Sequence, residues 1–466
     1  MIQLYGHQQR TLAFGVTRPL VFDTSDPGTG KTIANLAVYY QRRREGIAKR
    51  LLVICPKSIM ELAWGRDIQR AFPSISYAIA SAQNRVAAFE AGTDVVIMNH
   101  DGVTWLKSFP KFLDGFTDLI VDESTAFKHR TSARSKSLLE LTKRAQWTHK
   151  TLLTGTPIPN TITDIWHQVM LLDGGTRLGK NFYAFQNATC DAKQVGPRAQ
   201  HLQWVDKEGI NDVVTTLLDD ILIRHRLEDC IDIPANNVIE LPISLSRTHK
   251  AKYETLKREA VLALESGTVS AFHAGSLRTK LLQLLSGAVY GEDGSYHLID
   301  TDRYELVLDL VEQRKASLVA FNWRHQRDLI ASMATQRGLS FGVIDGETPG
   351  QERVRLVDAF QRGELKFILG HPQTMAHGIT LTYGVATIWA SPTDNAEHFI
   401  QMNRRVYRNG QTANTETLLI SAADTIEVGV YDRLQGKVTK QNDLLNLIEL
   451  LDNSPNTAQT PHTTED

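Results

Sequence analysis

The chain has 466 residues, with 51 Lys and Arg against 52 Asp and Glu and a formal net charge of −1. That length suits two or three domains, and the balanced charge excludes a nucleic-acid binder that works by bulk positive charge, so any basic surface must be local. The three cysteines, Cys55, Cys190 and Cys230, stand far apart with no Cys-x-x-Cys or Cys/His cluster, which argues against zinc and for a reducing compartment. No apolar run approaches membrane-span length and no signal-peptide pattern opens the chain, so the expectation is a soluble, intracellular protein.

In chain order, Gln8 comes first, with an amide able to pair with the donor and acceptor edge of adenine or to serve as an ordinary surface group. An apolar run at 19–22 then leads into Ser-Asp-Pro-Gly-Thr-Gly-Lys-Thr at 25–32 and an amphipathic segment at 33–41. This reads as a strand, a turn and a helix. Gly28 and Gly30, flanking Thr29, let the backbone bend so that several N–H groups face one point, and the helix adds the positive end of its dipole. The point is a phosphate seat, with Lys31 in reach of the β- and γ-phosphates and the Thr32 hydroxyl placed for Mg²⁺.

A basic stretch follows, then a strand at 51–55 that ends in Pro56, Lys57 and Ser58. A second strand at 95–99 ends in Asn99 and His100. Open α/β sheets place their ligands at the C-terminal ends of parallel strands, so both ends read as loops that grip a nucleic-acid backbone. The strand at 119–121 delivers two adjacent carboxylates. Asp122 is assigned to the metal and Glu123 to the base that orients and deprotonates the attacking water. Residues 152–160, Leu-Leu-Thr-Gly-Thr-Pro-Ile-Pro-Asn, end the next strand in small hydroxylated residues. Thr154, Gly155 and Thr156 either couple the nucleotide site to the rest of the cleft or simply make a turn.

From 161 to 239 the strand–helix rhythm breaks, with helical patterns around 165–172 and 208–222, and 287–294 reads as a loop. From 317 the rhythm returns, with strands at 318–321, 340–344, 366–369, 386–390 and 415–420 and helices at 324–336, 351–361 and 396–404. That alternation predicts a second parallel sheet. After its last helix, Arg405 and Arg408 are three residues apart and are expected on one helical face. Such a pair either faces nucleic acid or reaches the γ-phosphate across a cleft. The tail, 453–466, is polar and aperiodic, and is expected to be disordered.

Taken together, Gln8, the Asp-Pro-Gly-Thr-Gly-Lys-Thr loop with Ser25 where many such loops begin with Gly, Asp-Glu-Ser-Thr at 122–125 and the Leu-Thr-Gly-Thr-Pro-Ile-Pro-Asn run resemble the first motor domain of superfamily 2 helicases. The last run is similar to the SNF2 branch, although Pro159 stands where that branch has Gln. Ile-Arg-His-Arg at 223–226, through Ile233-Pro234, resembles the SNF2 segment rich in arginine. Gln401, Arg405, Arg408, Gly410 and Gln411 match its Gln-x-x-x-Arg-x-x-Arg-x-Gly-Gln pattern. Residues 370–381 occupy the place of its Gly-Leu-Asn-Leu motif, with Thr380 replacing Asn, and His371-Pro372 and His377-Gly378 resemble the bacteriophage and prophage branch.

The resemblance implies an α/β fold of two RecA-like parallel-sheet motor domains with helical insertions. Residues 1–240 would form the ATP-binding domain, with a helical protrusion at 161–239. Residues 241–452 would form the second, opened by a helical segment around 249–285. ATP and Mg²⁺ would bind the first domain, Arg405 and Arg408 would complete the site from the second, and Gln401 would join the coupling residues. Gly378 and Thr380 would join the nucleic-acid contacts. The implied activity is ATP-driven translocation on, or remodelling of, duplex or branched DNA in phage replication, recombination or repair, inside a bacterial host. A strand-separating fork helicase and an ATP-gated DNA-binding platform that recruits replication or recombination proteins remain the alternatives.

Overall fold

The computed structural model describes residues 3–144, 146–159, 161–194, 202–230, 234–265, 271–291, 293–375, 379–408 and 410–435. Six strands come first: β1 (Leu20–Asp23), β2 (Arg50–Cys55), β3 (Tyr77–Ala80), β4 (Val95–Asn99), β5 (Phe116–Asp122) and β6 (His149–Leu153). A hairpin of β7 (Cys190–Gln194) and β8 (Leu202–Asp206) follows, then a two-residue strand, β9 (Leu222–Ile223). All but the hairpin join one sheet in the order β3-β4-β2-β5-β6-β1-β9, and every pair in it is parallel. Parallel strands need crossover connections, which here carry helices such as Lys31–Arg44. Because helices cover both faces, successive residues of one strand enter opposite cores. Leu52, Ile54, Val96 and Met98 pack on one side, and Leu51, Val53, Val95 and Ile97 on the other.

The second half repeats the scheme. After β10 (Asn236–Ile243), the helices Arg247–Glu265 and Ala271–Leu285 and a hairpin of β11 (Ala288–Tyr290) and β12 (Tyr296–Leu298) come β13 (Ser317–Ala320), β14 (Phe341–Ile344), β15 (Phe367–Gly370), β16 (Ala386–Trp389) and β17 (Thr415–Ala422). They form a six-stranded sheet in the order β10-β17-β16-β13-β15-β14, again parallel throughout. The α/β architecture with two parallel sheets is therefore present. Among the described residues no helix is long and apolar enough to cross a membrane.

Several expectations shift. The boundary at residue 240 falls inside β10, which pairs with β17 from Asn236–Thr415 to Ile243–Ala422. The chain thus passes from one sheet to the other between Ile223 and Asn236. As an edge strand β10 alternates exposed and half-buried residues, so it lacks the apolar run that marks its neighbours. The helix expected at 208–222 ends at Leu218, because Leu222 and Ile223 pair with Phe22 and Asp23 instead. The loop expected at 287–294 is largely the β11–β12 hairpin, and the helical middle contains the β7–β8 hairpin. The helix of 396–404 stops at Asn403, so Arg405 and Arg408 do not share a helical face. Gly378, His377 and the tail 453–466 lie outside the described residues.

Candidate active site

The phosphate-type loop hangs between β1 and the helix Lys31–Arg44. Gly28 and Gly30 have φ of +96° and +81°, the left-handed region that glycine enters without penalty. Gly30 is the N-cap of that helix, whose leading N–H groups have no partner within it. A Cβ on Gly30 would collide with the Gln8 amide. Behind the loop, His7 Nε2 and Gln8 Nε2 donate to Thr29 O at 2.8 and 3.2 Å, and Gln8 Oε1 accepts from Tyr5 N at 3.1 Å. Gln8 is thereby tied to the loop backbone. Lys31 Nζ donates to Ser25 O and Asp26 O at 2.6 and 3.1 Å, so the ammonium sits over the loop. Asp26 is held by Arg224 at 2.8 Å and, from the other half of the chain, by Arg404 at 3.5 Å. These guanidiniums keep its carboxyl below the usual range in spite of burial.

Asp122 ends β5 and Glu123 follows in the left-handed region at φ +52°, a conformation that costs a non-glycine residue energy and redirects its side chain. Asp122 is fixed on three sides. Trp64 Nε1 donates to its Oδ2 at 2.9 Å, the Glu123 amide to its Oδ1 at 3.0 Å, and His100 Nε2 to its carbonyl at 2.8 Å. Burial raises the proton affinity of Asp122. The Glu123 carboxyl is pushed up to about 8, by burial first and then by the charges of Asp122 and Glu397, with Lys31 and Arg405 opposing. The pair is thus electrostatically strained, with Asp122 buried and Glu123 half-buried on the cleft wall.

The second sheet supplies cations to the same place. Arg405 and Arg408 converge without a shared helix, since Arg405 Nη1 and Arg408 Nη1 donate to the one carbonyl of Ile379 at 3.2 and 3.0 Å. Arg405 Nε also donates to Gln401 O at 2.8 Å. Burial and the neighbouring Arg408 lower the Arg405 guanidinium to about 9, which leaves it charged at neutral pH. A cleft of about 1020 Å³ is lined by Gln8, Gly28, Gly30, Lys31, Thr32, Asp122 and Glu123 from the first half and by Thr380, Arg404, Arg405 and Arg408 from the second.

Thr154, Gly155 and Thr156 lie directly behind the loop. Thr154 N donates to Asp23 O at 3.1 Å, and Thr156 N to Thr154 Oγ1 at 3.1 Å. A Cβ on Gly155 would sit 2.6 Å from Pro27 Cδ, so glycine is required by contact with the phosphate loop. Thr156 Oγ1 is buried and makes no hydrogen bond among the described residues. Gln401 is buried, with Nε2 donating to Glu397 Oε1 at 3.2 Å.

The residues expected to hold nucleic acid divide. Pro56, Lys57 and Ser58 stand beside Asn99 and His100, because β2 and β4 are neighbours with Cys55 opposite Asn99. Lys57 is exposed, and Ser58 and Asn99 are half-buried. His100 corrects the expectation for its side chain. It is 8% exposed, lies edge-on to Phe127 and is lowered to about 4 by burial, so it braces Asp122 from inside. Thr380 is half-buried and lines the cleft beside Arg405.

Sequence reasoning missed Trp64, Arg404 and Glu397. Nothing marked Trp64, which arrives from a π-helical turn, Met60–Gly65. Glu397 was findable, since it lies one helical turn before Gln401.

A glycine turn over a helix start, a pair of adjacent carboxylates and two arginines from the half that holds the second parallel sheet, all on one cleft, define an ATPase of helicase type. The SNF2-related domain family matches residues 20–286, and the helicase conserved C-terminal domain matches residues 302–410. The chain belongs to the SNF2-related family, and with it to the DNA-dependent ATPases. It is similar to protein p41 of Acyrthosiphon pisum secondary endosymbiont phage 1, at 25% identity over 91% of this chain and 93% of that protein. It is also similar to mouse chromodomain-helicase-DNA-binding protein 1-like, at 22% identity over 89% of this chain but 46% of that protein. Among solved structures, the Sulfolobus solfataricus SWI2/SNF2 ATPase core in complex with dsDNA matches at 18% identity and a TM-score of 0.44, over 97% of this chain and 95% of that one.

Proposed function

We propose that the chain hydrolyses ATP in this cleft and uses the opening and closing of its two halves to move along, or remodel, duplex or branched DNA. The observation that carries the reading is the meeting of Lys31, Asp122 and Glu123 from one sheet with Arg405 and Arg408 from the other on a single cleft. In this reading the sheets are two motor domains, divided between Ile223 and Asn236. The backbone from Gly28 to Gly30, with Lys31, seats the phosphates. Glu123 orients and deprotonates the attacking water, and Arg405, with Arg408, meets the charge that develops on the transferring phosphoryl group.

One hydroxyl and one buried carboxylate on the cleft wall, Thr32 and Asp122, suit a hard divalent cation that keeps most of its water. Mg²⁺ held there would supply charge neutralisation at the phosphates. Glu123, with a raised proton affinity, sits within a cluster of charges whose balance changes when nucleotide enters. Thr154, Gly155, Thr156 and Gln401 connect the nucleotide loop and the arginine strap to their sheets, and so are the coupling elements of the reading. DNA would run past Lys57, Ser58 and Asn99. The name of the mouse relative supports DNA as the partner, and the source of the phage relative fits a phage-encoded protein acting in a bacterial host; phage replication, recombination or repair is the role this reading assigns to such a motor.

The test is steady-state ATP hydrolysis without nucleic acid and then with single-stranded DNA, duplex DNA, forked DNA and RNA, with Lys31→Ala as the blank. Stimulation by duplex or forked DNA well above that by single strands is the expected result. Greater stimulation by single strands would move the reading to a strand-separating helicase. A rate unmoved by any nucleic acid, with ATP-dependent DNA affinity, would move it to a binding platform.

A further inference from the structure

Glu397 belongs to the helix Ala396–Asn403 on the second sheet, yet its carboxyl is shared with the first. Thr125 Oγ1 donates to Glu397 Oε1 at 3.1 Å. The same oxygen accepts from Gln401 Nε2 at 3.2 Å, and the Gln401 carbonyl accepts from Arg405 Nε at 2.8 Å. Thr125 lies two residues past Glu123, in the short turn Ser124–Phe127 that Glu123 enters at φ +52°. Three hydrogen bonds and one short helical turn therefore join the peptide that carries Glu123 to the strap that carries Arg405.

The path is largely withdrawn from water, with Thr125 at 4%, Gln401 at 1% and Arg405 at 6% exposure and Glu397 half-buried between them. Burying a carboxylate costs free energy unless its lone pairs are used. Among the described residues no arginine is paired with Glu397 to offset that cost. The cation that acts on it is Lys128, which bridges to Asp164 at 3.5 Å. An acid kept only to stabilise its own helix would explain the Gln401 contact, an ordinary i, i+4 pair. It would leave the contact to Thr125, 272 residues away in sequence, without a reason.

We propose that Glu397 is a positioning residue for ATP hydrolysis, which sets Arg405 against Glu123 by accepting one hydrogen bond from each half of the cleft. The proposal rests on the reading of Glu123 as base and Arg405 as the cation that meets the transferring phosphoryl group. Glu397 makes none of the contacts that seat the phosphates, so its loss acts on the chemical step and not on nucleotide binding. A misplaced reacting group commonly costs up to about 10²-fold in rate.

The experiment measures kcat and KM for ATP in the full chain, basal and with DNA, for Glu397→Ala, Glu397→Gln, Thr125→Val and Thr125→Ser, with Glu123→Gln alongside. Glu397→Ala is expected to lower kcat by roughly 10- to 100-fold while KM stays within about twofold. Glu397→Gln keeps an acceptor oxygen for both donors and is expected to recover most of the rate. Thr125→Val cuts the path from the other side and is expected to fall in the same sense, with Thr125→Ser restoring it. The double variant Glu397→Ala/Thr125→Val is expected to be no slower than Glu397→Ala alone, because both remove one path. Thr125→Val also carries the test if Glu397→Ala lowers Tm enough to cost folding. Wild-type kcat in Glu397→Ala, or losses that multiply in the double variant, overturns the proposal. Slow Glu123→Gln with unaffected Glu397→Ala removes this proposal alone, whereas Glu123→Gln at the wild-type rate removes the base assignment and the proposal with it.

Discussion

Each sheet sends a parallel strand into a helix through a tight turn, and the two turns treat their backbone amides in opposite ways. After β1 the chain passes through Gly28 and Gly30 at positive φ, and the start of the helix lies on the cleft wall. After β13 it passes through Phe321, Asn322 and Trp323 into the helix Arg324–Gln336 with no glycine. There the amides of Asn322 and Trp323 donate to Gln326 Oε1 at 2.8 and 3.2 Å, and Asn322 Nδ2 donates to Ser391 O at 3.0 Å. The second turn answers its own donors. A helix start is an anion seat only where its amides are left for a ligand, so on the proposed function one architecture would serve as a binding half and as a half that contributes side chains.

Lys31→Ala tests the binding half most severely, and phosphate release is expected to fall to background. Hydrolysis at the wild-type rate would break the comparison. Arg405→Ala tests the contributing half, with turnover expected to drop by roughly 10³-fold or more while ATP affinity, read by fluorescent-nucleotide titration, stays within a few-fold. If its only effect were weaker DNA binding, the second sheet would not contribute to the chemistry. Gln326→Ala sharpens the contrast, because it strips the acceptor from two amides in the second turn. It is expected to cost about 1–3 kcal/mol in urea unfolding and to leave KM for ATP unchanged.

Acid acts on both halves at once. Burial holds His100 and His225 at about 4 and His149 at about 3 in the first half, and His325 and His398 at about 4 in the second. Unfolded, all five return towards 6.5 and bind protons more readily than the folded chain does. Their contribution is therefore intact above about pH 6.5 and is lost as pH falls towards 4. Urea midpoints are expected to be lower at pH 5.5 than at pH 7.5, in both halves.

How much of this could be read from residues alone follows physical lines. Buried parallel strands such as 51–55, 95–99 and 119–121 are continuous apolar runs, and the glycine turn beside them has its own signature, so the sheets and the phosphate-type loop were legible. β10 was not, because an edge strand with one wet face does not carry that run. Arg405 and Arg408 were expected together on a helical face. They meet through the carbonyl of Ile379, a contact between residues 26 and 29 positions apart, which no local periodicity encodes. His100 was expected to face outward because it ends a strand. A ring donor and a nearby buried carbonyl, that of Asp122, turned it in.

The fit of Gly155 against Pro27 has a mechanical consequence. Contacts between ordinary side chains absorb a displacement as torsion, since a rotamer can give by some tens of degrees for about 1 kcal/mol. Here one partner has no side chain and the other is a closed ring with its φ locked, so the joint has almost no compliance. On the proposed function, a shift of the loop at Pro27 would be passed through this contact to the backbone of Thr154 and Thr156. In that reading the stiffness would come from what glycine lacks, and a single methyl at residue 155 would act as a wedge against Pro27.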